Sequence, residues 1–417
     1  MAFRKSVRSI GWRKCMLLNR ERLDRALAEN KVDAVVAATF ENVRYFTGIG
    51  SVSLKIHPYF GNCFAFVTAG ATGGAKLVSS VGEVDQVLDS FSGVEVAATF
   101  GTFYREMRDD GPLQLTEAET RLKAASVELA SSDAPAAALA SALEAAGLAR
   151  AHIGLDEDGM KPGIGEELRR LLPEARFSNA SDLLSWTRRV KTAEEVRRLR
   201  RAAAATEQAI RAVAAVLDEG VTEREMMLEF NRAIASQEAT PQLTMIRFGR
   251  NGVGGQVLPD LTRLRKGDTI WFDVACTRDG YWSDIARNVS FGEPDPRVAS
   301  YYAALKHGED VAIESARPGM TAGALFDLMV DGVRQAGIPH YRRHHVGHGI
   351  GAEIYEKPVL TPGNDLVLEA GMVLNVETPY YEFGTGGIHV EDPFVLGEGG
   401  ENTLLTGLTR ELMVVAP

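Results

Sequence analysis

Cysteine is scarce in this 417-residue chain: Cys15, Cys63 and Cys276 are odd in number and far apart. That usage excludes a disulfide scaffold and points to a reducing, cytoplasmic setting. No uninterrupted apolar run approaches the roughly eighteen residues of a membrane span. Arg4, Lys5 and Arg8 precede no apolar segment, so no secretion signal is expected. Positive charge is outweighed, 46 Lys and Arg against 56 Asp and Glu, and the net charge of −10 argues against nucleic acid or an anionic membrane as a partner. The arginine-rich stretch 197–201 is a local exception on a helical pattern, read as a solvated face or a subunit contact. The length allows two or three domains with sizeable cores.

The first half alternates helix-like and strand-like stretches, RERLDRALAENK, DAVVAAT, FAFVT, AKLVSS and VEVAAT, which predicts an α/β domain with a mixed sheet. An alanine-rich helix follows over 134–150, with Asp133 placed to cap it and Pro135 in its first turn. The crossing to a second domain falls in 181–195, giving domains 1–185 and 190–417. Two capping boxes, Thr192 with Glu195 and Thr222 with Glu225, open helices in the second domain. Further helical patterns run over 297–316 and 321–337, the first stopped by Pro318-Gly319. Interleaved with strand-like hairpins, they predict an α+β domain with helices on one face of a curved antiparallel sheet.

Acidic and imidazole side chains concentrate in that sheet. Asp273 and Asp284 lie in two strand-like runs flanking Arg278-Asp279-Gly280, a hairpin signature. A turn centred between 278 and 279 sets the two aspartates directly opposite, with Cβ atoms roughly 5 Å apart, where they repel unless a cation lies between them. Glycines crowd His348 in HHVGHGIG (344–351), and two further strand-like runs end on Glu377 and Glu391, joined by a loop with Gly384, Gly386 and Gly387. One imidazole and four carboxylates form a hard donor set suited to a two-metal site, with manganese expected and Fe, Co or Zn as alternatives. Two adjacent ions can activate a water and polarise a carbonyl, the chemistry of amide hydrolysis.

Over nearly all its length the chain resembles the creatinase, aminopeptidase P and prolidase family of pita-bread metalloenzymes. Asp273 and Asp284 keep the family's separation of eleven positions between aspartate ligands, and Gly280, Tyr281, Ser283 and Arg287 match the same motif. His344 to Gly351 match the family's His-x-x-Gly-His-x-x-Gly. The resemblance implies a creatinase-like N-terminal domain and a pita-bread catalytic domain that binds two divalent metal ions. Asp284 and Glu391 would bridge the ions, Asp273 would hold one, and His348 with Glu377 the other. Glu377 would also carry the proton of the attacking water. A homodimer is implied as well, acting on a dipeptide or other small molecule.

Departures fall in the substrate shell. Peptidase members place a histidine where this chain has Gln256 and another where it has Tyr355; aminopeptidases P carry an arginine where it has His389. Gln256, His345 and His389 are therefore candidate substrate contacts, and His344 and Tyr355 candidate catalytic groups beside Glu377. Tyr355 has a phenol able to donate to a developing oxyanion, and His389 borders the ligand strand. The reading is a metal-dependent hydrolase of a C–N bond, with Xaa-Pro dipeptides the first substrates to test. Alternatives are an ectoine-hydrolase-like or creatinase-like enzyme, a dimethylsulfoniopropionate lyase-like one, or a non-catalytic binding module. Ala275 stands where lyase-like members have an extra aspartate, and the complete ligand set argues against the creatinase-like and non-catalytic readings.

Overall fold

The computed structural model describes residues 17–89 and 94–417. Cys15 and the N-terminal basic residues lie outside them. The chain divides into two compact units, Met1–Thr187 and Arg188–Pro417.

In the first unit, seven strands form one mixed sheet: β1 (Ala34–Ala37), β2 (Cys63–Thr68), β3 (Lys76–Ser80), β4 (Glu95–Phe100), β5 (Ser131–Ser132), β6 (His152–Leu155) and β7 (Arg176–Asn179), in the spatial order β5-β4-β3-β2-β1-β6-β7. β1, β6 and β7 run parallel, as do β3, β4 and β5, with β2 antiparallel to β1 and β3. The strands that the sequence marked as apolar runs are buried, and the helix Pro135–Ala145 covers them with Ala138, Leu139, Ala142 and Leu143. Its N-cap is Ala134, whose methyl cannot cap, and not Asp133. Pro135 at the first turn presets the helical φ and lacks the N–H that a cap would satisfy, so the helix starts one residue later than expected.

The second unit is built on a nine-stranded sheet. Its strands are β8 (Thr240–Phe248), β9 (Thr269–Arg278), β10 (Tyr281–Phe291), β11 (Gly347–Gly349), β12 (Glu356–Val359), β13 (Val373–Glu377), β16 (Glu391–Val395), β17 (Thr403–Leu404) and β18 (Met413–Val415), with β14 (Tyr380–Glu382) and β15 (Gly386–Ile388) pairing apart as a hairpin. The main path is β12-β11-β13-β16-β10-β9-β8, and only β18 joins in parallel. Both predicted capping boxes form, opening the helices Ala193–Ala214 and Glu223–Ser236. With Pro296–Ser315 and Ala322–Gln335 they cover one face of the sheet.

Strand pleating sorts the side chains. Ile270, Phe272, Val274 and Cys276 of β9, with Ile285 and Val289 of β10, pack into the core beneath the first two helices. Leu374, Val376 and Phe394 pack beneath the second two. Because successive residues alternate between faces, Asp273, Asp284, Glu377 and Glu391 are all left on the other one. Cys276 is a packed strand residue, its thiol within hydrogen-bond reach of Thr206 and Ser283.

The β9–β10 turn differs from expectation. Tyr281 pairs with Arg278, so the loop is Asp279-Gly280, with positive φ at both residues (51° and 78°). A two-residue hairpin of this hand requires such backbone, and Asp-Gly tolerates it. The turn is therefore centred one residue later. Asp273 pairs with Ala286 and Asp284 with Ala275, which makes the aspartates diagonal neighbours, roughly 7 Å apart, instead of directly opposed.

Candidate metal centre

Register assembles the site. Asp273 pairs with Ala286, Ala286 with Glu391, and Glu391 with Glu377, so three of the acids lie in one row across β9, β10, β16 and β13. Asp284, two residues before Ala286, and His348, paired with Asn375 two residues before Glu377, occupy the next row. All five expected ligands thus share one face. Four of them fall into two overlapping clusters, Asp284 with His348 and Glu391, and Asp273 with His389 and Glu391, each with ligand atoms within 4.8 Å of one another, while Glu377 belongs to neither.

His348 is set up to donate a lone pair. Its Nδ1 lies 3.0 Å from the Gly349 carbonyl, which can only accept, so that nitrogen carries the proton. Nε2 then faces Asp284 Oδ2 at 3.8 Å and Glu391 Oε1 at 4.0 Å, without a hydrogen-bond partner among the described residues. Such a carbonyl contact is the usual way a ligating imidazole is held in one tautomer. Burial lowers its pKa, keeping the ring neutral. Gly347, with φ of 139° and with Asn375 O 2.3 Å from where a Cβ would stand, explains the glycine beside the histidine.

The carboxylates are electrostatically unbalanced. Among the described residues their ion-pair contacts are with histidines: His345 Nε2 stands 2.7 Å from Glu377 Oε1, and His389 Nε2 3.6 Å from both Glu377 Oε2 and Glu391 Oε2. Burial first, and then the neighbouring carboxylates, push Asp284 and Glu391 well above the ordinary range. Asp273 is pushed up to about 6 by burial and Glu377, against the pull of His389. For Glu377 burial is outweighed by the two histidines beside it, which hold it below the usual carboxylate range. Asp284 and Glu391, packed this way, hold protons that a bound cation would replace. Buried oxygen donors, a neutral imidazole lone pair and unpartnered Asp284 Oδ1 together fit divalent metal.

The other expected residues are placed unevenly. Tyr355 is 46% exposed and stacks on His348 with ring centroids 3.7 Å apart, its hydroxyl 3.3 Å from His345 Nε2. His344 is exposed, edge-on to His345 at 4.2 Å. Gln256 is exposed, and among the described residues its side chain bonds to none of the acids. His389 is 2% exposed and lies inside the cluster.

Sequence reasoning missed one support, Asn375, and the role of another, Arg287, which it knew only as a motif match. Asn375 Nδ2 donates to Glu391 Oε1 at 2.6 Å; its signal was its place two residues before Glu377 on the same strand face. Arg287 fixes the other side of Glu391: its guanidinium donates to the Glu391 carbonyl (3.0 Å) and to Asp392 Oδ1 (2.7 Å). Glu356, beside Tyr355, has a structural role, its carboxylate held by Lys191 at 2.7 Å.

Comparison with known proteins accords with this architecture. The profile of the creatinase/prolidase N-terminal domain matches residues 19–190, and that of metallopeptidase family M24 matches residues 197–398. An Xaa-Pro dipeptidase from Lactobacillus helveticus is 30% identical over 265 residues, 63% of this chain and 72% of the relative. The crystal structure of dipeptidase PepE from Mycobacterium ulcerans superimposes with a TM-score of 0.72 at 26% identity, over 95% of this chain and 97% of that one. A dipeptidase from Pyrococcus horikoshii shares the fold, with a TM-score of 0.74 at 24% identity over 95% and 99% of the two chains. With both halves matched in order and the acid-histidine face in the matched region, the chain belongs to metallopeptidase family M24 and carries the family's creatinase/prolidase-type N-terminal domain.

Proposed function

We propose that the protein is a dipeptidase that hydrolyses the C–N bond of small peptides, Xaa-Pro dipeptides first among them, with two divalent metal ions held by Asp273, Asp284, His348, Glu377 and Glu391. One observation carries this reading: four carboxylates and a neutral imidazole converge on one buried face and, among the described residues, no arginine or lysine pairs with them. Bound there, divalent ions would supply a Lewis acid for the substrate carbonyl and acidify a water. The chain's residues do the rest. Glu377, kept ionised by His345 and His389, accepts the proton of the attacking water and returns it to the amide nitrogen as the C–N bond breaks, releasing a carboxylate and an amine. His345 steadies the Glu377 carboxylate, while His344, exposed beside it, meets the substrate. Tyr355 braces the His348 ring and offers its hydroxyl to the developing oxyanion, and Gln256 contacts substrate from its loop.

The finer assignments belong to the same proposal. Four carboxylates against one imidazole favour manganese over softer metals. Free, buried Cys63 and Cys276 suit the cytoplasm; no helix among the described residues is long and apolar enough to cross a membrane. A homodimer follows from the family resemblance, and the domain division at 185–190 agrees with the profile-matched ranges. Exposed Gln256 and stacked Tyr355, where peptidases have histidines, make proline preference the part most in need of measurement.

The test is elemental analysis of protein purified without chelator, followed by a panel of Xaa-Pro and non-proline dipeptides assayed with that metal. About two ions per chain and release of free proline are expected. Glu377→Gln should lower kcat on the order of a thousandfold with an unchanged circular dichroism spectrum. A metal-loaded protein that leaves every dipeptide intact would move the reading to a non-peptide amide.

A further inference from the structure

We propose that His389 is itself a metal ligand, completing with Asp273 and Glu391 a second ion position beside that of Asp284, His348 and Glu391, so that each ion has one imidazole. The inference rests on the metal-centre reading above and adds to its five ligands a sixth. Its basis is a ring that the fold positions but does not satisfy. His389 is 2% exposed, and neither of its ring nitrogens has a hydrogen-bond partner among the described residues. Nδ1 lies 4.0 Å from Asp273 Oδ2, and Nε2 lies 3.6 Å from Glu391 Oε2. These separations are long for hydrogen bonds. One nitrogen of the ring can serve one ion, and with a single ligand atom taken from each residue Asp273, His389 and Glu391 lie within 4.8 Å of one another, close enough to share it. The proposed ligand His348 likewise stands off from its own acids, its Nε2 lying 3.8 and 4.0 Å from them.

The ring is also held in place from outside the cluster. The His389 backbone N–H donates to Asn288 Oδ1 at 2.7 Å, and Asn288 Nδ2 donates to the Gly387 carbonyl at 3.1 Å, fixing the segment that enters β16. Trp271 lies nearly parallel to the imidazole, 20° between planes and 6.3 Å between centroids. His389 precedes Glu391 by two residues, so in an extended segment both point to one face. An imidazolium that merely neutralised acids would be expected to donate at hydrogen-bond distance to one of them; this ring stands off from three. With Glu391 shared, the centre becomes two similar half-sites, richer in nitrogen than the five-ligand set.

The test is cobalt(II) binding to protein stripped with chelator, followed by equilibrium dialysis and by X-ray absorption to count imidazoles per ion, on wild type, His389→Ala and His389→Gln. Two ions with about one imidazole each are expected in the wild type. Both variants should keep one tight ion, with the other weakened at least tenfold, and circular dichroism should show them folded. Two ions bound as tightly in the variants, with an unchanged imidazole count, would overturn the assignment of His389 and leave the five-ligand centre standing. A folded wild type that takes up no cobalt would remove the centre itself and the inference with it.

Discussion

Glu391 and Asp392 are neighbours on one strand, both buried, yet they belong to opposite regimes. Asp392 points to the helix face, where Arg287 stands 2.7 Å and Arg410 3.0 Å from its oxygens, and where Arg410 also reaches Glu309 at 2.6 Å. Glu391 points to the opposite face, into a group of acids whose charged partners among the described residues are histidines. The fold can therefore neutralise buried carboxylates internally, and does so one residue away. Where it leaves four unneutralised, the balance is reserved for something the chain binds.

Removing a cation from the balanced side should have the largest effect. Arg287→Met takes from buried Asp392 one of its two arginine partners, leaving Arg410, and deletes the guanidinium bonds to the Glu391 and Thr409 carbonyls. Breaking a buried pair by deleting one partner costs about 3–5 kcal/mol, so the urea midpoint should fall steeply, with metal affinity falling too because Glu391 loses its anchor. A loss of less than about 1 kcal/mol, in the range of exposed pairs, would show that Asp392 is not held by this arginine.

Glu195 stands between the two regimes. Its carboxylate caps the helix Ala193–Ala214 and accepts from the Tyr281 hydroxyl at 3.1 Å. Burial lifts its pKa to about 7 despite Lys191 nearby. A raised folded-state pKa means the native protein holds the proton more tightly than the unfolded chain does, so this contribution to stability is fully present below about 4.5 and is lost as pH rises towards 7. Glu195→Gln should flatten the pH dependence of the denaturation midpoint in that window, by about 2 kcal/mol across it. An unchanged slope would assign the pH dependence to other groups.

The alternation of apolar and acidic residues in β9, β10, β13 and β16 was legible in the sequence, and with it the shared face of Asp273, Asp284, Glu377 and Glu391. Period-two patterning carries that much. So were both capping boxes, because they depend on residues three apart. The register of the β9–β10 hairpin was not, since a shift of one residue at the turn depends on which pair adopts positive φ, and Asp279-Gly280 won over Arg278-Asp279 for a backbone reason. The Arg287, Asp392, Arg410 and Glu309 network joins positions about a hundred residues apart, beyond any local pattern. Tyr355 stacked on His348 was not visible either, because the contact depends on how the segment between β11 and β12 folds back, nor was the reach of Asn375 to Glu391, although its place two before Glu377 on one strand was a clue.

The unbalanced side gives the smallest effect and the one of opposite sign. Asp284→Asn removes an acid that burial and its neighbours already disfavour as an anion. In chelator-treated protein the substitution relieves repulsion and is expected to raise stability by about 1 kcal/mol at neutral pH, as replacing buried charges often does. Metal should reverse the ranking. Wild type at a hundredfold excess over the dissociation constant gains about 2.7 kcal/mol, whereas the variant, short of a ligand, gains far less. Thermal denaturation of both proteins with and without metal measures the two differences together. If Asp284→Asn destabilises the stripped protein as Arg287→Met does, then the inner face is held together by its acids without a cation, and the contrast between Glu391 and Asp392 is one of position alone.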